Sequence, residues 1–318
     1  MQPLALLIDS AAILAAVPPA RAVELTADAF LRHQAGEWEM PPKTYVDAPP
    51  DGDFRAMPAR GGGLATLKWV TSFPNNPLRG LPVVTGALLL SSAETGELLA
   101  ICDCAAVTSL RTGAAAAVSA RALAREGAAS AGIVGCGVNG AWAARCLAAI
   151  GFATGVCADV RPEPAAALAD ELGWETGGRE EAVARDVVVT VTPGERPVIG
   201  AGDLRPGAHA AVLGADAHGK AEVEASELRR CRLFCDQWEQ ASTGGELAGP
   251  VERGEIGRGD VTDIGAVLAG AAPGRANDDE ITLFDSTGLA IQDLAIAAEA
   301  LAAAREGRIE APEVQLAG

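Results

Sequence analysis

The sequence predicts an α/β chain in two parts. A first region of largely antiparallel strands precedes a parallel sheet covered by helices on both faces. Three observations carry this. From residue 130 onward, short apolar runs of strand length alternate with helical stretches, the order that builds a parallel sheet. Before that, "PVVTGALLL" (82–90) and "SSAETGELLAICD" read as two strands joined by a turn. A chain of 318 residues is also long for one core, so two domains are expected.

The elements follow in order. "LALLIDSAAILAAV" reads as a buried strand and the start of a helix. It lacks a basic leader, Asp9 and Ser10 interrupt it, and the apolar run after them is too short to cross a bilayer, so neither a secretion signal nor an anchor is expected. Residues 1–60 mix apolar runs with proline-rich turns such as "MPPKTYVDAPPDGD". A helix is expected to open at Thr108 or Ser109 and to run on alanine-rich sequence through Ala124. Next come a strand at 130–135, a helix at 138–151 closed by Gly151, a strand at 154–159 and a helix at 162–173 opened by prolines. Strands at 186–191, 208–214, 232–236 and 281–286 and a helix at 289–306 complete the pattern.

Charge narrows the function. With 25 Lys and Arg against 42 Asp and Glu, the net charge of −17 argues against nucleic acid and against an anionic membrane as partners. The cysteines at 102, 104, 136, 146, 157, 231 and 235 are odd in number and scattered through apolar segments. They read as buried thiols of a reducing cytoplasm, not as a disulfide framework. Only His33, His209 and His218 stand beside them and no CxxC pair is present, so no metal site is expected.

One motif points to a ligand. "IVGCGVNG" carries Gly135, Gly137 and Gly140 in G-x-G-x-x-G spacing, with Val138 and Asn139 between the last two. It follows a predicted strand and opens a predicted helix, and the next strand ends in Asp159, 24 residues beyond Gly135. This is the arrangement of a Rossmann-type dinucleotide site, with glycines for a tight turn and close phosphate approach and a carboxylate for the ribose. Asp159 favours NAD over NADP because a carboxylate repels a 2′-phosphate, although Arg161 softens that preference.

The chain also resembles the ornithine cyclodeaminase/mu-crystallin family over nearly all its length. The resemblance rests on "MPA" (57–59), "LKWVTSFPNNP" (67–77), "GLP" (80–82), "TGELLA" (95–100), "SLRTGAAAAVSARALA" (109–124) and "GCGVNG". It continues in "LGADAHGKAEV" (213–223), "GEL" (245–247), "PGR" (273–275) and "FDSTGLAIQDLAIAAEAL" (284–301). It implies a mixed α+β substrate and dimerisation domain over 1–115, rejoined by 294–318, around a dinucleotide domain over 116–293. It also implies a homodimer and a hydride passing between a nicotinamide and the α-carbon of an amino or imino acid.

Residue roles follow from the same resemblance. Arg111 is expected to hold the α-carboxylate with its planar fork, Lys68 to serve the substrate head group, and Asp216 to shuttle a proton at nitrogen or water. His218 is a second acid–base candidate, and Lys220 is expected to position its loop. Lys43 stands where the family often has a carboxylate-holding arginine, and Thr85 is assigned to the substrate site with Arg55. Thr112 is expected near a cofactor phosphate, Thr192 at the cofactor crevice, and Ser286 with Thr287 along the nicotinamide.

Arg55 departs from the pattern. Ornithine-cyclising members carry a glutamate there to receive a distal ammonium, which a cation repels. Two readings stand. Arg55, with Arg60, reads an acidic or polar substrate tail, or it pairs with Asp51 or Asp53 beside it. The leading expectation is an NAD(H)-dependent amino-acid dehydrogenase or imine reductase. The alternatives are an ornithine or lysine cyclodeaminase, an N-(carboxyalkyl)amino-acid dehydrogenase and a mu-crystallin-like binding protein.

Overall fold

The computed structural model describes residues 4–193, 196–215 and 219–315. The chain divides into two compact units, Met1–Arg111 with Leu289–Gly318, and Thr112–Gly288. The expected boundaries lay at 115/116 and 293/294. The first division instead falls inside the helix Cys104–Leu123, where no turn marks it, and the helix Ala290–Arg305 belongs whole to the first unit.

In the first unit, β1 (Ala5–Ile8), β2 (Thr44–Ala48), β3 (Gly52–Gly61), β4 (Leu64–Ser72), β5 (Val84–Ser92), β6 (Leu98–Asp103) and β15 (Glu313–Val314) form one sheet, ordered β15-β1-β6-β5-β4-β3-β2. From β2 to β6 each strand pairs antiparallel with the next. Gly62 and Gly63, at φ 58° and 77°, make the two-residue turn between β3 and β4, a conformation that side-chain-bearing residues resist. β1 joins β6 in parallel, and Asp9 then caps the helix Ser10–Ala16 by accepting the Ala12 N–H at 2.8 Å.

Strand alternation gives this sheet two unlike faces. On the inner face Met57, Lys68, Leu88, Cys102 and Ile8 lie in register across five strands, and all are buried. The helix Ala290–Arg305 packs over β3 and β4 there. On the outer face Pro58, Leu67, Leu89, Ile101 and Leu7 form a second row in register. Leu7, Leu67 and Leu89 are exposed, as is Trp69 beside them.

The second unit is an eight-stranded sheet, parallel throughout. Its strands are β7 (Ser130–Val134), β8 (Thr154–Ala158), β9 (Glu175–Thr176), β10 (Val187–Thr190), β11 (His209–Val212), β12 (Cys231–Cys235), β13 (Val261–Asp263) and β14 (Ile281–Asp285). The order β13-β12-β14-β11-β10-β7-β8-β9 reverses direction between β7 and β10, where α/β sheets open a crevice beyond the strand ends. Val188, Ala210, Val212 and Leu283 are among the residues of the packed core. His209 is buried with Nε2 3.0 Å from Ser119 Oγ and Nδ1 3.0 Å from Thr282 Oγ1. Burial pushes its pKa down to about 3.

One helix start needs correction. The helix expected from Thr108 or Ser109 begins at Cys104, because Asp103 Oδ1 accepts the Ala106 N–H at 2.7 Å and caps the helix earlier. Thr108 is thereby freed for another contact.

Candidate functional site

In the second unit, Gly135 follows β7 with φ 96°, outside the range of ordinary side chains. A Cβ at Gly135 would overlap the Val191 carbonyl, and one at Gly140 would overlap the Gly135 carbonyl. At Gly137 a Cβ would meet nothing within 4 Å, and Gly137 is the N-cap of the helix Val138–Ala149. The loop therefore folds tightly on itself and keeps open space where the first helical N–H groups emerge, the requirement for bound phosphate. Val138 is exposed and Asn139 half-buried at this helix start.

A cavity of about 660 Å³ opens beside the loop. Gly135, Gly137, Asp159, Arg161 and Thr192 line it, together with Arg179 and Arg196. Asp159 Oδ2 accepts the Cys136 N–H at 2.7 Å and Oδ1 accepts the Arg161 N–H at 2.9 Å, which fixes the carboxylate at the rim. Thr192 is placed through its backbone, whose N–H reaches Glu222 Oε1 at 2.6 Å. Glu222 also accepts from Thr190 Oγ1 at 2.9 Å and Gly214 N–H at 2.7 Å, tying the ends of β10 and β11 together. These residues fit a dinucleotide: open loop, helix N-terminus and a ribose-facing carboxylate. Thr112 and Ser286, expected at the cofactor, are buried and do not line this cavity. The Ser286 and Thr287 hydroxyls turn to Asp236, at 3.4 and 3.2 Å.

The first unit holds the other group. Lys68 Nζ lies 2.7 Å from Asp293 Oδ2, and Arg111 Nε lies 3.2 Å from Asp293 Oδ1. Lys68 is 1 % exposed, Arg111 8 % and Asp293 0 %. Lys68 Nζ also donates to Thr108 Oγ1 at 3.3 Å. Asp293 stands in the first turn of the helix Ala290–Arg305, where the helix dipole favours a carboxylate. Among the described residues, two buried cations thus share one carboxylate, a local surplus of positive charge. Burial holds the Lys68 pKa below the ordinary lysine value; Asp293 opposes that shift and the Arg111 cation reinforces it.

Arg55 lies on the same sheet face, paired with Val70, two residues from Lys68. Its Nε and Nη2 meet Asp53 Oδ1 and Oδ2 at 2.5 and 3.1 Å, and its guanidinium sits 5.4 Å from the Tyr45 ring centroid. The second of the two readings is therefore present, with Asp53 as the partner. Asp51 lies 3.9 Å from Arg79 instead. Lys43 is half-buried just before β2.

Two expectations are corrected by strand alternation. Arg60 is five residues from Arg55, so it points to the opposite face and pairs with Glu39 at 3.0 Å. Thr85 pairs with Thr71, three residues from Lys68, and its Oγ1 meets Thr71 Oγ1 at 2.9 Å on the face away from Lys68. Asp216 and His218 lie outside the described residues; Lys220 is half-buried among the residues lining a separate cavity.

The sequence reading missed Asp293. Its signal was one of two acids, with Glu299, inside the apolar run "LAIQDLAIAAEAL". It also missed two buried acids, Glu246 in the turn after the helix Trp238–Gly244 and Asp285 at the end of β14. Burial pushes Glu246 up to about 7, and it raises Asp285 well above the carboxylate range with help from neighbouring Asp236 and Glu246.

These features define an α/β protein with a Rossmann-type dinucleotide cleft in one unit and a buried, cation-rich site in the other. The family model of the ornithine cyclodeaminase/mu-crystallin family matches residues 12–307, and the chain belongs to that family. It is 42% identical over 283 residues to an alanine dehydrogenase of Archaeoglobus fulgidus, covering 87% of this chain and 88% of that protein. Among solved structures it is similar to an archaeal alanine dehydrogenase dimer with bound NAD, at TM-score 0.94 and 37% identity, covering 99% of this chain and 100% of that one. It is likewise similar to Δ1-pyrroline-2-carboxylate reductase of Thermococcus litoralis in complex with NADH and L-proline, at TM-score 0.92 and 28% identity, covering 97% and 100%. Among the described residues, no helix is long and apolar enough to cross a membrane.

Proposed function

We propose that the protein is an NAD(H)-dependent oxidoreductase that interconverts a small α-imino acid, or an α-keto acid plus ammonia, with an L-amino acid. The observation that carries this is the pair of buried cations, Lys68 and Arg111, sharing the single carboxylate of Asp293. Such a site is short of one negative charge, and a substrate α-carboxylate supplies it. The names and bound ligands of the similar proteins support the same chemistry.

In this reading the bound cofactor supplies or accepts hydride, and the chain does the rest. Arg111 binds the α-carboxylate through its fork and fixes the α-carbon. Lys68, with its pKa lowered by burial, holds or gives up a proton beside the nitrogen. Asp293 orients both cations, and Lys43 is assigned to the substrate site on the family resemblance. Asp216 is assigned the second proton transfer on the family resemblance. Gly135, Gly137, Val138, Asn139 and Gly140 hold the phosphates, Asp159 the ribose, and Thr192 the wall of the crevice. The ion pair of Arg55 with Asp53 supports a short, uncharged substrate side chain over a second carboxylate.

The outer face of the first unit supports a homodimer, because a second copy would cover the row Leu7, Leu67 and Leu89. The test of function is NADH absorbance and ammonia recorded together. Pyruvate or oxaloacetate with ammonia, a cyclic imino acid, and ornithine or lysine with NAD form the panel. NADH consumption with a keto or imino acid establishes the reductase. Ammonia released from ornithine or lysine without net NADH would mean a cyclodeaminase and overturn the reading.

A further inference from the structure

We propose that Thr108 is a positioning residue for proton transfer at Lys68: its hydroxyl oxygen holds one Nζ–H bond and so aims the others at the reacting nitrogen. The inference rests on reading Lys68 as the proton carrier of the reaction above.

The sheet itself offers Lys68 nothing polar in register. Its neighbours across the strands are Met57 on β3 and Leu88 on β5, both buried and apolar. Arg55, two residues along the same face, is committed to Asp53. The polar and charged groups that face the ammonium come from two helices. The helix Ala290–Arg305 brings Asp293. The helix Cys104–Leu123 brings Cys104, Thr108 and Arg111, whose spacing of four and then three residues puts them on one stripe.

These contacts differ in kind. Asp293 Oδ2 lies 2.7 Å from Nζ but outside hydrogen-bond geometry, so it balances charge without fixing where the N–H bonds point. Thr108 Oγ1, at 3.3 Å, accepts a directed hydrogen bond. The three donors of an ammonium turn as one rotor about Cε–Nζ, so a bond that pins one pins all. Cys104 Sγ lies 4.0 Å from the Thr108 hydroxyl on its other side. Burial pushes the Cys104 pKa up and keeps it a thiol, a weak partner that leaves the Thr108 lone pairs to the ammonium. When Lys68 passes a proton to the substrate nitrogen, the electron pair of that N–H bond stays on Nζ. Thr108 keeps its own N–H, so the lone pair remains where the proton left and takes it back in the reverse direction.

The test combines kinetics with nuclear magnetic resonance on the full chain. Lys43, Lys68 and Lys220 are the only lysines, so isotope-labelled lysine gives three side-chain signals, and Lys68→Met identifies the one to follow. Thr108→Val removes the acceptor and keeps the shape. The charged form of Lys68 then loses a hydrogen bond, so its pKa should fall further below the ordinary lysine value. The limb of the pH–kcat profile that Lys68 sets should move to lower pH with it. The kcat should drop about tenfold while KM for the keto or imino acid changes less than about twofold, because Arg111 still holds the carboxylate. Thr108→Ser should restore the titration, the limb and kcat. An unchanged kcat in Thr108→Val overturns the proposal. So does a loss of kcat with Lys68 titrating as in the parent, or a loss that serine fails to rescue, since either marks a purely structural role. Full turnover in Lys68→Met would instead overturn the reading of Lys68 as proton carrier, and the proposal with it.

Discussion

Lys68 and Asp293 meet at 2.7 Å with both side chains withdrawn from solvent, although 224 residues separate them in the sequence. Arg111 completes the arrangement from about two turns inside the helix Cys104–Leu123. A carboxylate between two cations is held by both, and each cation depends on it.

Asp293→Asn should therefore be severely destabilising, because it leaves Lys68 and Arg111 facing each other without a counter-charge. The expected loss is about 3–5 kcal/mol in urea denaturation. Lys68→Met combined with Asp293→Asn should recover part of it, giving a coupling energy above about 1 kcal/mol in the double-mutant cycle. Additive losses would refute the pairing.

The nucleotide loop separates binding from stability. Gly137→Ala meets nothing in the protein, so its denaturation midpoint should match the parent's, while NADH affinity falls at least about tenfold because the methyl occupies phosphate space. Gly140→Ala collides with the Gly135 carbonyl and should lose stability and binding together. Full affinity in Gly137→Ala would remove the phosphates from this loop.

His209 sets an acid limit on stability. Its folded pKa of about 3 lies below the ordinary value of 6.5, so the native state binds fewer protons than the unfolded one. The contribution is complete above pH 6.5 and is lost as pH falls toward 3, by up to about 5 kcal/mol. His209→Gln should flatten this part of the Tm profile; an unchanged slope would show that other groups set it.

Glu246 acts with the opposite sign. Its pKa rises from 4.5 to about 7 on folding, so its contribution is complete below pH 4.5 and is lost as pH rises through 7. Glu246→Gln should abolish that decline, a change of about 3 kcal/mol across the window. The slope, read by urea denaturation at several pH values, is the measurement.

The outer sheet face predicts self-association. Leu89→Asp, central in the apolar row, should shift sedimentation toward the monomer without changing the circular dichroism spectrum. A parent that sediments as a monomer would remove the proposed dimer.

What was legible in the sequence depended on local spacing. The glycine loop and Asp159 could be read because turn, helix start and strand end lie close along the chain. Lys68 could be read because a lysine breaks an apolar alternation. Asp293 could not, since its helix is buried nearly all round and no polar stripe ranks one position above another. Arg55 stayed open between two readings because only the strand's facing shows that Asp53, two residues back, shares its side. Thr85 was misplaced for the same reason: a one-residue error in register exchanges the faces of a strand.

The first unit is assembled from both ends of the chain, with the second unit between them. On the ribosome, six of its seven strands are made early, and the helix bearing Asp293 emerges only after the whole of Thr112–Gly288. At about 5–20 residues per second, the Lys68 face waits on the order of ten seconds or more for its cover. During that interval an apolar strand surface with an uncompensated cation is open to chaperones and to neighbouring nascent chains. Synonymous codons that slow translation across the second unit lengthen that exposure, so the yield of folded protein depends on the tempo of synthesis as well as on the residues themselves.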